Sequence, residues 1–184
     1  YIERPYDYKI ALDKEGKGVA DLTVTHTHTG QQDVDECIAY NLEAYKVGGQ
    51  YLEMAENCYW NYLRVYVPED SQLIARTEHF TPGDIMRQGK PITSVSDVLL
   101  EQASLTTWEN FLLVPYGQSV STNYQYLLPQ ITTMTDNGVN QYQLTVRKQA
   151  GTGSDSVNIS IILPTGTTLI DANPKPSKID DENL

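Results

Sequence analysis

The feature that most constrains this chain is a piece of local grammar written three times: an apolar strand closing on Val-Pro or Leu-Pro, a tight turn, then a second strand. The first copy runs Cys58 to Pro68, Pro68-Glu69-Asp70-Ser71, and Gln72 to Phe80. The second runs Trp108 to Val114, Pro115-Tyr116-Gly117-Gln118, and Ser119 to Leu128. The third runs Val157 to Leu163, Pro164-Thr165-Gly166, and Thr167 to Ile170. Proline cannot donate to a ladder, and it pre-sets the backbone for the second position of a turn that Asp, Ser or Gly completes. Within the strands the apolar residues fall at every second position: Val120, Thr122, Tyr124, Tyr126 and Leu128 share one face, as do Val157, Ile159, Ile161 and Leu163.

The rest of the chain follows the same period. Tyr6 to Leu12 and Val19 to Thr29 read as a hairpin across Lys14-Glu15-Gly16-Lys17-Gly18, with Ala20, Leu22 and Val24 on the buried face. Tyr142, Leu144 and Val146 mark a strand introduced by the turn Asp136-Asn137-Gly138. Roughly eight to ten strands at this spacing predict an all-β fold, an antiparallel β-sandwich of the immunoglobulin or fibronectin kind. Residues 30–57 lose the periodicity and read as an irregular, partly helical insertion, while 81–105, broken by Pro82-Gly83 and Gly89-Lys90-Pro91, fit no single element. One domain is expected over 1–171, followed by a polar, disordered tail at 172–184.

A chain of 184 residues has room for a hydrophobic core without staples. Its net charge of -11 opposes the phosphate neutralisation on which nucleic-acid binding rests, so nucleic acid and anionic membrane are excluded as expected partners. No apolar run approaches the roughly 20 residues that cross a bilayer, so no direct membrane insertion by this segment is expected. The opening Tyr1-Ile2-Glu3-Arg4-Pro5 reads as part of a longer protein. The two cysteines, Cys37 and Cys58, allow one intramolecular pairing, which would imply an oxidising compartment; the alternative is two unrelated buried thiols.

Catalytic spacing is absent: there is no Gly-x-Ser-x-Gly, His-Glu-x-x-His, phosphate-cradling loop or dinucleotide fingerprint, and neither an enzyme nor a cofactor is expected. His26 and His28 project from one face of a strand, with Asp33, Asp35 and Glu36 following, which makes them weak candidates for a metal site; an exposed polar strand end is the simpler reading. Tyr59, Trp60, Tyr62, Tyr66 and Tyr116 are candidate ligand-contact aromatics, set against the commoner fate of strand aromatics in a core. Lys9 and Asn158 stand on an early and a late strand, as an intramolecular isopeptide pair would require.

The run Cys58-Tyr59-Trp60-Asn61-Tyr62-Leu63-Arg64-Val65-Tyr66-Val67-Pro68 with Ser71 resembles the signature of the bacterial domain of unknown function 4012 family. Glu3-Arg4 with Tyr8, Ala20 to Thr29, Phe111 to Ser119, Tyr124 to Pro129 and Tyr142 to Thr152 resemble the C-terminal region of the same family; Thr81 to Leu105 does not. The resemblance implies an exported or membrane-anchored bacterial protein of which this chain is a C-terminal part, and it assigns no activity. It also implies that Cys37 and Cys58 are paired. The expectation is therefore a non-catalytic cell-envelope module, at the cell surface or anchored through an N-terminal part, serving interaction or scaffolding. Its partners would be other domains of the parent chain or envelope proteins. A carbohydrate-binding module taking glycans through exposed Tyr and Trp is the first alternative, and an accessory domain of an envelope enzyme the second.

Overall fold

A computed structural model of the chain describes residues 2–30, 37, 58–93, 105–147, 153 and 155–180. Those residues form strands and turns and no helix: β1 (Ile2–Glu3), β2 (Tyr6–Leu12), β3 (Gly18–His28), β4 (Tyr59–Pro68), β5 (Gln72–Arg76), β6 (Leu105–Val114), β7 (Ser119–Leu128), β8 (Thr132–Met134), β9 (Asn140–Tyr142) and β10 (Val157–Ile162). The partly helical insertion expected at 30–57 lies, apart from its first residue and Cys37, outside the described residues.

The larger sheet has the order β10-β2-β3-β7-β5, with β1 beside β3; β4 and β6 form a separate two-stranded ribbon, and β8 and β9 a small hairpin. The β2–β3 hairpin closes where expected. The Asp13 carboxylate accepts from the N–H groups of Glu15 and Lys17 at 3.0 and 2.8 Å, and Gly16 takes φ +78°, a conformation that favours glycine. β1 and β2 run along the same side of β3 and are separated by Arg4-Pro5; Thr25 N–H bridges the break by donating to Pro5 O at 3.1 Å.

The turns after Pro68 and Pro115 form as the residue types require, with Ser71 N–H donating to Pro68 O and Gln118 N–H to Pro115 O. They do not make hairpins. β4 pairs with β6 and β5 pairs with β7, so each of these turns carries the chain from the ribbon to the larger sheet. The two crossings sit at opposite ends of the ribbon, because Pro68 lies opposite Leu105 and Val114 opposite Tyr59. Side chains of both sheets then meet in one core: Ile10, Ala20, Tyr124, Tyr126 and Leu128 from the larger sheet, Val65, Val67 and Trp108 from the ribbon. The Trp108 ring lies 5.0 Å from that of Tyr126 and 6.4 Å from that of Tyr124.

Four expectations need correction. The larger sheet is mixed rather than antiparallel, since β10 runs parallel to β2. The strand after Ser71 ends at Arg76 instead of Phe80: Thr77 still donates its N–H to Asn123 O, but its carbonyl turns across the core to accept from Asn110 Nδ2 at 2.7 Å. The strand expected around Tyr142 to Val146 covers only Asn140–Tyr142, with Leu144 and Val146 exposed. The third copy of the grammar lacks its second strand, since the N–H and hydroxyl of Thr167 both bond Pro164 O and the chain continues without regular structure.

Candidate interaction surface

The ribbon decides which side chains of β4 are available. Leu63, Val65 and Val67 pack into the core, and the period of two sends Tyr59 and Asn61 to the same inner side. Trp60, Tyr62, Arg64 and Tyr66 therefore line the outer face in a row. Opposite them on β6 stand Leu113, Phe111, Glu109 and Thr107.

The middle of this face is organised around Glu109. Glu109 is 3% exposed although it lies on the outer side, and two β4 side chains bond its carboxylate. Arg64 Nε pairs with Glu109 Oε1 at 2.8 Å, and the Tyr62 hydroxyl donates to Glu109 Oε2. The Arg64 guanidinium sits 5.2 Å from the centre of the Tyr62 ring, a cation–π distance. This hydrogen bond to the carboxylate raises the Tyr62 pKa above the ordinary phenol range, and Tyr66, then Glu109, hold Arg64 more firmly charged. Tyr62 and Tyr66 remain 45% and 53% exposed. Trp60 extends the aromatic surface with its ring centre 6.0 Å from that of Phe111.

The remaining aromatic candidates are used elsewhere. Tyr59 turns inward, its hydroxyl donating to Asn61 Oδ1 at 3.3 Å. Tyr116, in the second crossing turn, packs its ring 4.6 Å from that of His28 and fills the space where a side chain on Gly30 would stand. Of the five residues named from the sequence, the structure thus gathers Trp60, Tyr62 and Tyr66 on one outward face and places Tyr59 and Tyr116 apart from it. Glu109, Arg64 and Phe111 were missed. Alternation of Trp108 to Val114 shows that Glu109 and Phe111 share a face, but the register against β4 that brings them to Tyr62 is a tertiary fact.

His26 and His28 point inward and are 1% and 2% exposed, which corrects the reading of an exposed strand end. Asn61 Nδ2 donates to His26 Nε2 at 3.0 Å, so the neutral ring carries its proton on Nδ1, which is buried without a protein partner. Burial, reinforced by the positive charge of Arg4, lowers the His26 pKa to about 4. His28 Nδ1 accepts from Gly30 N–H at 3.1 Å, and His79 shares a hydrogen bond with Thr122 Oγ1 at 2.8 Å. Among the described residues no three His, Cys, Asp or Glu side chains gather as metal ligands would; Asp33, Asp35 and Glu36 lie outside them.

Cys37 and Cys58 form a disulfide, with Cα atoms 5.5 Å apart, immediately before β4. The outer face of the larger sheet is a polar lattice: Asp21 accepts from Asn123 and Gln125, Thr25 pairs with Ser121, and Thr27 with Ser119. Lys9 and Asn158 line one shallow depression there, but both are exposed and Asn158 Nδ2 donates to Asp7 Oδ1, so Asp7 engages the amide an isopeptide bond would use. No helix of the described residues is long and apolar enough to cross a membrane. No protein-family model matches the sequence, and no curated protein matches it either.

Proposed function

We propose that this chain is a non-catalytic, extracytoplasmic interaction module of a larger bacterial envelope protein, an immunoglobulin- or fibronectin-like β-sandwich that meets its partners through the outer face of β4 and β6. The observation that carries this reading is the fixed aromatic row. Trp60, Tyr62 and Tyr66 face outward in line while a nearly buried carboxylate, Glu109, holds Tyr62 and Arg64 in place. Desolvating a carboxylate is costly unless it is paired. Here it immobilises exposed side chains whose rotamers would otherwise have to be ordered on binding. The disulfide supports an oxidising compartment, and the residue run from Cys58 to Pro68 supports the bacterial family resemblance. Partners are other domains of the parent chain or envelope proteins.

A second reading, a carbohydrate-binding module, is favoured by the same row, since Trp and Tyr rings offer flat apolar surfaces beside polar groups. Retention of the domain on isolated envelopes tests the first proposal. Replacing Trp60, Tyr62 and Tyr66 together by Ala is expected to weaken retention roughly tenfold or more, the scale of a hot-spot loss, with the circular dichroism unchanged. Undiminished retention would place the contact face elsewhere. A glycan array separates the readings: signals lost on Trp60→Ala assign glycans, and a flat response leaves protein partners.

A further inference from the structure

The two edges of the larger sheet are built differently. β5 is short, carries a register shift between Leu73 and Ala75, and ends on Arg76, all devices that blunt strand pairing. β10, at six residues, is also short but has neither the register shift nor the terminal charge. Val157-Asn158-Ile159-Ser160-Ile161-Ile162 is unbroken, contains no charge and no proline, and among the described residues no strand pairs with its outer edge.

Its backbone polarity follows from one bond. Tyr6 N–H donates to Ser156 O at 2.9 Å, so even-numbered residues direct their N–H and C=O groups to β2 and Val157, Ile159 and Ile161 direct theirs outward. The side chains of these same residues stand on the inner face of the sheet, beside Tyr6, Tyr8 and Ile10, yet they are 38%, 45% and 46% exposed because the ribbon does not reach them.

We infer that β10 is a self-association edge on which a second copy of this chain docks, antiparallel, about a two-fold axis at Ile159. In that register Ile159 faces its symmetry mate, and Val157 faces Ile161 of the other copy in both directions. These are the residues with outward-directed backbone groups, so each pair exchanges two hydrogen bonds, and their apolar side chains fall on one face. Asn158 then stands opposite Ser160 of the other copy on the polar face. A two-fold contact sets the same patch against itself. A charged edge would meet its own charge near the axis, and β10 brings none. The net charge of -11 on each copy opposes approach from a distance, so association strengthens as salt screens it.

The native cysteines are both in the disulfide, so an introduced thiol is the sole free one. Asn158→Cys and Ser160→Cys proteins, mixed in a glutathione redox buffer, are expected to give the mixed dimer in preference to either homodimer, because 158 opposes 160 and not itself. Sedimentation of the unaltered chain is expected to show a monomer–dimer equilibrium that salt favours and Ile159→Lys abolishes. A single species at the monomer mass of 20.7 kDa at all concentrations and salts would overturn the inference. So would a dimer whose cross-links ignore this register, which would place the contact on another face.

Discussion

Among single residues, His26 and Glu109 show how burial sets roles that composition does not reveal. Both are polar side chains removed from water, but one is kept neutral and the other is met by a guanidinium. Glu109 pairs with the Arg64 guanidinium at 2.8 Å. His26 faces Asn61, with Arg4, Asp155 and His79 as the charged or titratable groups near it; burial and Arg4 lower its pKa to about 4, and Asp155 opposes them. An unfolded histidine titrates near 6.5. Between that value and about 4 the unfolded chain binds the extra proton, so stability is full above the upper value and falls as pH falls through the window. The contribution is about 3 kcal/mol, with His79, also lowered by burial, adding in the same direction. Urea midpoints at pH 7 and pH 4.5 are expected to fall towards acid, and His26→Gln to reduce that slope. An unchanged slope in the variant would remove His26 from the acid response.

For the elements, strands were legible and, outside the β2–β3 hairpin, their partners were not. Tyr6–Leu12, Tyr59–Pro68 and Ser119–Leu128 follow from alternation and turn chemistry almost to the residue. A Val-Pro turn reads the same whether it folds a hairpin or carries the chain to an opposing sheet, because the difference lies in which distant strand supplies the hydrogen bonds. Hence the crossings after Pro68 and Pro115, and the parallel docking of β10, became visible only with the pairing. The alternation of Val157, Ile159 and Ile161 likewise predicts an apolar face correctly, while its exposure depends on how far the second sheet extends. Turns can be tested one glycine at a time. A side chain on Gly16 would have a positive φ and would collide with Thr132, whose N–H donates to Gly16 O, whereas Gly138 shares the φ but faces open space. Gly138→Ala is expected to cost about 1 kcal/mol and Gly16→Ala about 2 or more, read from urea midpoints. Equal losses would mean that the β2–β3 turn does not dock on β8.

Taken whole, the molecule divides its surfaces by chemistry. The outer face of the larger sheet is a hydrogen-bonded polar lattice, its β10 edge is apolar and uncharged, and the outer face of the ribbon carries the aromatic row. The disulfide anchors the start of that ribbon; closing a separation of 21 residues contributes about 3 kcal/mol on chain-entropy grounds. The candidate face was therefore half legible. The aromatics of Cys58 to Pro68 stood out in the sequence, but their division into Trp60, Tyr62 and Tyr66 outside and Tyr59 inside required knowing which face of β4 meets Trp108. Everything proposed for this surface depends on that division. Hydroxyl-radical footprinting of the native chain, read residue by residue, tests it most directly. Tyr62 and Tyr66, 45% and 53% exposed, should oxidise far faster than Tyr124 and Tyr126, at 0% and 4%. Comparable rates across the four tyrosines would contradict the outward aromatic face.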